Sequence, residues 1–553
     1  MTTLTSLARA QAVATGMAQP VCTMRHVHLS DRPLVLVPLV LAGEANAPLA
    51  ALVGDDPAAG RLLVVSQPRN RDRRFAFAAE LAEIVVSYVE GYYSSVQTVP
   101  GGRGQDERTR FADAPQVLVP NPACIGFVRL LGRSTRFRRP SGEYAVDPAV
   151  PVLGRWLSFL AERAEHPGSC LLLAATDVVA LHWASGQSPV EDLNLAALMG
   201  WVSPPAGMTG AEAAAAGEDP VTWPPAGPAT DPTFDNEVLA RLIAACDLPD
   251  DDARARHRAE SALQAALAAQ VAPTWRLMWR AIDLLRGMPP GSRVAARWDA
   301  DKDAFTSYAG YLRDDGPPQP RRDSAVAAAQ RLNWLERAQA SYAAQRALDD
   351  PLVMAEHRLS GEAFAGTVTA AEPGRLDSSG KRRKLRPLIT VVTQDSPRID
   401  QGATLVSPSR PSQQARVISV SAAPLQPGPL QPGPLQPGQV PAQPALVQPG
   451  PAQPASPLAL APSPASATAA SAPAPAARRP LAVVLELAGG MGRALTPEPG
   501  SVPEPGEWLC YTTLTDSYQP QGSFPDRADT PWTHGGPPPE YVPADEDASE
   551  AWS

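Results

Sequence analysis

The residues best suited to chemistry in this sequence are lysines and arginines that occur in short clusters. The densest cluster lies in the stretch "SSGKRRKLRP" (378–387), between two predicted strands, and consists of Lys381, Arg382, Arg383 and Lys384. Cations at a hairpin tip neutralise backbone phosphates and release counterions, which favours binding to nucleic acid or another polyanion. A solvated basic turn is the alternative interpretation.

Two more clusters lie nearer the N-terminus, in "SQPRNRDRRF" (66–75) and "RSTRFRR" (133–139). The first follows a predicted strand and leads into a predicted helix, and the second follows another helix. In an open α/β sheet, anions bind at the carboxyl ends of strands and at helix N-termini. The two clusters together could therefore bind a phosphodiester or nucleotide. The alternative is that these arginines pair with acidic residues of neighbouring domains. Their arginines are Arg69, Arg71, Arg73 and Arg74, then Arg133, Arg136, Arg138 and Arg139.

Motifs for catalysis or metal binding are incomplete. A nucleotide-binding loop at Gly374 and Gly380-Lys381 fails, because five residues separate the glycines and Arg382 stands where serine or threonine should be. His26 and His28 share one face of the strand if 25–29 is extended, but a metal site needs at least a third ligand, and we expect none nearby. We therefore predict no metal, no cofactor and no particular catalytic residue. Catalysis remains open, because catalytic residues can be scattered along a chain.

The length, charge and cysteine content of the chain indicate its domain number and its cellular compartment. At 553 residues the chain is long enough for two to four domains, and a net charge of −9 is mild for this length. The five cysteines are far apart and never form C-x-x-C, which favours small core residues in a reducing compartment. No N-terminal apolar stretch resembles a signal peptide, and no apolar run matches a membrane span. The sequence predicts a cytosolic protein.

The basic clusters near the N-terminus lie in a predicted α/β domain at 30–140, after an extension at 1–29. Strands are predicted at 34–41, 61–66 and 116–119, the first as an edge or interrupted strand because it contains Pro38. A helix is predicted at 75–90. A second begins with Asn121 as N-cap and Pro122 at its first position, and Gly132 is expected just past its end.

The middle of the chain, 145–350, is predicted to be mostly helical, with a loop at 203–233 where Ala, Gly and Pro dominate. Residues 323–348 contain neither proline nor glycine. A helix of that length would be roughly 39 Å long at 1.5 Å per residue. We interpret it as a structural arm, with coiled-coil-like spacing, that leads into the next domain.

Residues 361–421 alternate with a period of two, which predicts strands, and the β domain is predicted to span 361–515. A Pro-rich tract at 422–480, containing "LQPGPLQPGPLQPGQ", separates these strands from two more. Because a lone two-stranded hairpin is marginal in water, the two parts are predicted to form one β-barrel or sandwich, interrupted by a disordered insertion. The acidic tail at 516–553 is also predicted to be disordered.

Taken together, these features predict a multidomain α+β protein: a small α/β domain, a mostly helical middle with a long arm, and a C-terminal β-barrel or sandwich. The first functional hypothesis is a binding or adaptor protein that contacts nucleic acid or another polyanion through its basic loops. The second is an enzyme that acts on a phosphorylated small molecule or a nucleic-acid end at the α/β domain. The third is a scaffold whose Pro-rich insertion binds protein partners.

Overall fold

The structure is a computed structural model that describes residues 2–44, 47–101, 106–224, 227–246, 253–380, 382–423 and 479–516. Its α-helices are α1 (Thr3–Thr15), α2 (Arg71–Glu90), α3 (Pro122–Thr135), α4 (Ala149–Ala164), α5 (Ala175–His182), α6 (Leu195–Val202), α7 (Gly210–Gly217), α8 (Pro232–Phe234), α9 (Ala240–Ala245), α10 (Ala253–Arg286), α11 (Val294–Arg313), α12 (Ala325–Asp349) and α13 (Pro351–Ser360). None of these helices combines the length and the apolar character needed to cross a membrane.

The strands, in chain order, are β1 (Gln19–Pro20), β2 (Leu34–Val40), β3 (Pro48–Gly54), β4 (Arg61–Val64), β5 (Val96–Val99), β6 (Arg108–Phe111), β7 (Val117–Val119), β8 (Leu172–Ala174), β9 (Trp183–Ala184), β10 (Ala363–Glu372), β11 (Leu376–Asp377), β12 (Lys384–Leu385), β13 (Leu388–Thr393), β14 (Thr404–Ser407), β15 (Arg410–Ala422), β16 (Leu481–Ala488) and β17 (Trp508–Thr512). With the helices, they confirm the predicted multidomain α+β fold.

The N-terminal half is built on a five-stranded mixed sheet in the order β4-β3-β2-β7-β8. Strands β2, β7 and β8 are parallel, whereas β3 is antiparallel to both β2 and β4. Every residue of β2 is buried. Such a strand needs cover on both faces of its sheet, and α2–α4 and α10 pack against this one.

Strand β2 lies in the middle of the sheet, so the prediction of an edge or interrupted strand from Pro38 is wrong. The N–H groups of Leu34 and Val40 donate to Gln116 and Pro228 on the β7 side. By alternation, the nitrogen of Pro38 faces the same side, where pairing with β7 has ended at Val35. The missing N–H of proline therefore interrupts no bond between the paired strands.

One hydrophobic core extends across the predicted boundary at 140–145. Its buried residues run from Val27 to Ala309, and β8 joins the same sheet as β2. The segment 203–233 contains α7, because Thr209 and Glu212 form a reciprocal capping box before a run of alanines. The division of this half into two domains stays a prediction.

Helix α3 begins as predicted but ends later. The Asn121 side chain accepts a hydrogen bond from the Cys124 N–H and caps the helix. Gly132 lies inside α3, three residues before its end. A Cβ atom at Gly132 would lie 2.8 Å from the main-chain nitrogen of Ser158, so this glycine permits close packing of α3 on α4 and does not terminate the helix.

The predicted arm is helix α12, and the chain turns at its end. Asp350 separates α12 from α13 and caps α13 with its carboxylate, while Pro351 occupies the first helical position. Helix α13 leads directly into β10, the first strand of the C-terminal domain. Asp350 therefore stands between the arm and the short helix that leads into the barrel.

The C-terminal domain is a closed barrel in the order β10-β13-β16-β15-β14-β17. Ala422, at the end of β15, is paired with Leu481, at the start of β16, so the strands on either side of the Pro-rich tract are neighbours. This confirms a single β domain and identifies it as a barrel. The predicted insertion falls almost entirely on 424–478, and the predicted tail on 517–553, which lie outside the described residues.

The pairing of Ala422 with Leu481 predicts that the intervening tract can be replaced. A turn of about six residues in place of 423–480 is expected to raise the free energy of unfolding of the barrel by about 2 kcal/mol, because a shorter loop costs less entropy to close. Urea denaturation followed by far-UV circular dichroism measures the change. A barrel that no longer folds with the short turn would show that the tract contributes packing.

Candidate anion-binding sites and a buried ligand cluster

The carboxyl ends of four strands meet at one edge of the N-terminal sheet. Strand β4 is antiparallel to β3, which is antiparallel to β2, so β4 runs in the direction of β2, β7 and β8. Residues 227–246 cross this edge. The Val40 N–H donates to Pro228 O, and the Asn121 side chain donates to Gly227 O at 2.9 Å. This is the edge at which open α/β sheets bind ligands.

A cleft of about 540 Å³ opens at this edge, with Arg69 and Asp235 in its lining. One wall is a π-helix, Asp235–Leu239, an irregularity that often occurs at functional sites. Asp235 accepts a hydrogen bond from the Ala42 N–H at 3.0 Å. The Gln67 side chain donates to Ile243 O at 3.1 Å, which ties the loop after β4 to this wall.

The two arginine clusters of the N-terminal half meet at Phe75. The guanidinium carbons of Arg71 and Arg138 lie 4.8 and 5.2 Å from the centre of the Phe75 ring. Burial lowers the pKa of Arg74, and the neighbouring charges of Arg138 and Arg71 lower it further, while Glu44 opposes them. The structure therefore brings Arg138 close to Arg71 and Arg74, although more than 60 residues separate it from them in the sequence.

Acidic and main-chain partners already engage several of these arginines. Arg69 forms an exposed ion pair with Glu44 at 2.5 Å. Arg71 pairs with Asp72 and donates to Tyr144 O, both at 2.7 Å. Exposed ion pairs contribute about 0–1 kcal/mol each, so a phosphate could compete for these arginines. Arg73 is exposed at a separate cleft.

Arg136 is buried and ties the end of α3 to α4 and to the loop before α12. Its guanidinium donates to Ser158 Oγ and to Pro320 O, each at 3.0 Å. Burial lowers the pKa of this arginine. Arg139 is exposed, and its carbonyl accepts a hydrogen bond from the Val146 N–H. Of the predicted arginines in 133–139, Arg138 alone is placed at Phe75 by the described contacts.

The basic hairpin on the barrel is anchored at its base and exposed at its tip. Arg375 pairs with Glu486 at 2.7 Å, and the Arg386 N–H donates to Arg375 O at 2.9 Å. Strands β11 and β12 then form a short ladder. Arg382, Arg383 and Lys384 are exposed and form no ion pair with any of the described residues, while Lys381 lies outside them.

His26 and His28 do not form a common site. The His28 ring stacks on Trp298 with ring centres 4.0 Å apart, and burial lowers its pKa to about 4. His26 instead lies with Cys22 and Asp350, three buried residues whose potential ligand atoms are all within 4.8 Å of one another. Further potential ligands do lie near His26: Cys22, four residues before it in the sequence, and Asp350, which the fold brings to it. The prediction of no metal is not tested by this proximity.

Comparison of the chain with models of protein families, with curated proteins and with solved structures finds no match. Sequence reasoning missed Glu44 and Asp350 as partners in these sites. Asp350 did carry a signal, since an aspartate before a proline is typical of a helix N-cap. Its proximity to His26 depends on the fold alone.

Proposed function

We propose that the protein binds nucleic acid, or a polyanion of similar charge density, through the basic hairpin of its barrel. The observation that carries the proposal is the exposure of Arg382, Arg383 and Lys384 without an acidic partner among the described residues. Around Phe75, by contrast, Glu44 and Asp72 already offset part of the charge. Unpaired cations on a rigid barrel can each displace a counterion from a phosphate backbone.

The test is fluorescence anisotropy of the full chain with labelled single- and double-stranded DNA and RNA over a range of salt. A variant with Lys381, Arg382, Arg383 and Lys384 changed to alanine is expected to bind at least about 10-fold more weakly. Its log–log salt dependence on duplex DNA should be shallower by up to about 3–4, because each phosphate contact contributes about 0.9 to that slope.

A matched control removes four exposed cations from the helices of the other half. The substitutions are Arg241→Ala, Arg254→Ala, Arg258→Ala and Arg276→Ala. Both variants lose the same charge, so a merely global electrostatic effect would weaken both equally. Equal weakening, or no binding by the wild type at low salt, would rule out the hairpin as the binding site.

The meeting of Arg71, Arg74 and Arg138 at Phe75 favours a second candidate function. In this alternative, the edge of the N-terminal sheet holds a phosphorylated small molecule or a nucleic-acid end, as an enzyme of such substrates would require. Changing Arg71 and Arg138 to alanine distinguishes the two functions. Loss of binding in that variant, with full binding by the hairpin variant, would assign the ligand to the sheet edge.

The third hypothesis, a scaffold that recruits partners through the Pro-rich tract, concerns residues outside the described ones. It stays a prediction.

A further inference from the structure

The side chains of Cys22, His26 and Asp350 converge in the interior, with 2%, 0% and 1% of their residue surfaces exposed. Two of them come from the N-terminal extension, and the third comes from the turn between α12 and α13. Sulfur, imidazole nitrogen and carboxylate oxygen are the donor set that proteins use for zinc and similar first-row divalent ions.

The imidazole of His26 makes no hydrogen bond, although the main chain around it is fully held. The main-chain N–H of His26 donates to His182 Nε2 at 3.0 Å, and the main-chain carbonyl of His26 accepts from the Arg297 guanidinium at 2.8 Å. Both ring nitrogens are nevertheless buried without a hydrogen-bond partner. Buried polar atoms in folded proteins are nearly always satisfied. A metal ion could bind the ring nitrogen Nε2, which faces the Asp350 carboxylate at 3.4 Å, and would leave Nδ1 as it is.

The distance between His26 and Asp350 suits a shared metal. His26 Nε2 and Asp350 Oδ2 are 3.4 Å apart, which is within the range of an ion pair but long for a hydrogen bond. Two ligands bound to one tetrahedral zinc at roughly 2.0–2.1 Å lie about 3.3–3.4 Å from each other. The separation is therefore that of two corners of one coordination tetrahedron.

The other contacts of these side chains hold them in place. The N–H groups of Thr23 and Met24 donate to Asp350 Oδ2 at 2.6 and 3.1 Å, which fixes the carboxylate beside His26. The Cys22 thiol lies 3.3 Å from Leu181 O, and Arg346 donates to its sulfur at 3.8 Å. Burial raises the pKa of the Cys22 thiol to about 11 and Arg346 opposes that rise, so the thiol keeps its proton until a metal ion displaces it.

We propose that Cys22, His26 and Asp350 bind one divalent metal ion of the zinc class. Binding forms a metal–sulfur bond and releases the Cys22 thiol proton to solvent, with no change in oxidation state. The site joins the N-terminal extension to the turn that carries the barrel. Metal at this point would fix the orientation of the barrel relative to the sheet.

The experiment uses the full-length chain, stripped with a chelator and then titrated with Zn²⁺, with Co²⁺ as a spectroscopic probe. The proposal expects one equivalent bound per chain, with a thiolate-to-cobalt charge-transfer band. Cys22→Ser should weaken zinc binding at least about 10-fold and remove the band. Cys124→Ser is the matched control and should change neither result, since Cys124 is also buried but belongs to no cluster of potential metal ligands within the part of the chain that the structure describes.

X-ray absorption of the zinc-loaded wild type decides the question even if Cys22→Ser does not fold. We expect one sulfur at about 2.3 Å, with the remaining ligands nitrogen or oxygen at about 2.0–2.1 Å. A folded wild-type chain that takes up no stoichiometric zinc, or zinc without sulfur coordination, overturns the proposal. So does a cobalt band that persists in Cys22→Ser.

Discussion

Replacing Asp350 by alanine is expected to lower the free energy of unfolding by at least about 3 kcal/mol. The Asp350 carboxylate accepts hydrogen bonds from the N–H groups of Thr23, Met24 and Leu352. Alanine removes the N-cap of α13, which costs about 1 kcal/mol, and leaves the donors of Thr23 and Met24 without their acceptor, at about 1–3 kcal/mol for each donor that water cannot reach. Urea denaturation followed by tryptophan fluorescence measures the loss.

Ser324→Ala is the matched control for this prediction. Ser324 caps α12 by accepting a hydrogen bond from the Ala327 N–H, but it is exposed and has no distant partner. Its replacement should cost about 1 kcal/mol. If Asp350→Ala costs no more than Ser324→Ala, Asp350 acts as a helix cap only, and the tie between the N-terminal extension and the arm contributes nothing to stability.

The strands of the barrel show how much of the structure can be predicted from the alternation of apolar and polar residues. Alternation predicts that Val483, Leu485 and Leu487 share one face of a strand, and all three are buried. It also predicts that Ala370 shares a face with Phe364 and Val368, yet Ala370 is exposed. A β-bulge shifts the register between Val368 and Ala370, and a shift of one residue moves every later side chain to the other face. Strands were predictable from period, whereas irregularities within them were not.

Strand β3 was missed for a different reason. Its sequence, PLAALVG, is almost wholly buried and shows no alternation, because both faces of the sheet are covered. Short apolar runs of this kind are ambiguous between strand and helix. The antiparallel pairing of β3 with both β2 and β4 resolves the ambiguity only in three dimensions.

The sequence was sufficient to predict which basic residues cluster in the candidate sites, but not which residues they contact. The sequence shows residues 66–75 and 133–139 as clusters of positive charge. In the structure, these two clusters meet at Phe75. The acidic partners came from elsewhere: Glu44 lies 25 residues from Arg69, and Asp350 lies 324 residues from His26. Charge clustering identifies a surface, but only the fold decides which cations are neutralised on it.

Protonation of His182 is expected to destabilise the protein as the pH falls from about 6.5 to about 4. His182 is fully buried, its Nδ1–H donates to Val178 O at 2.7 Å, and its Nε2 accepts from the His26 N–H at 3.0 Å. Both bonds require the neutral ring, because a proton on Nε2 would face the N–H of His26. Burial accordingly lowers the pKa of His182 to about 4.

The sign of this effect follows from the direction of the shift. The folded state binds the proton less well than the unfolded state, whose histidine has a pKa of about 6.5, so the contribution of His182 to stability is present above about pH 6.5 and is lost toward pH 4. The loss is on the order of 3 kcal/mol, since each pKa unit corresponds to about 1.4 kcal/mol. Urea denaturation at a series of pH values measures it.

His182→Gln should lower stability at pH 7 and also flatten the decline between pH 6.5 and pH 4. The flattening separates a titrating group from a side chain that only fills space, because loss of packing would lower the whole curve by a constant amount. His257→Gln, an exposed position on α10, provides the control and should leave the curve unchanged. An unchanged slope in His182→Gln would assign the acid sensitivity to other buried groups, of which His28 and His166 have pKa values lowered to about 4 by burial.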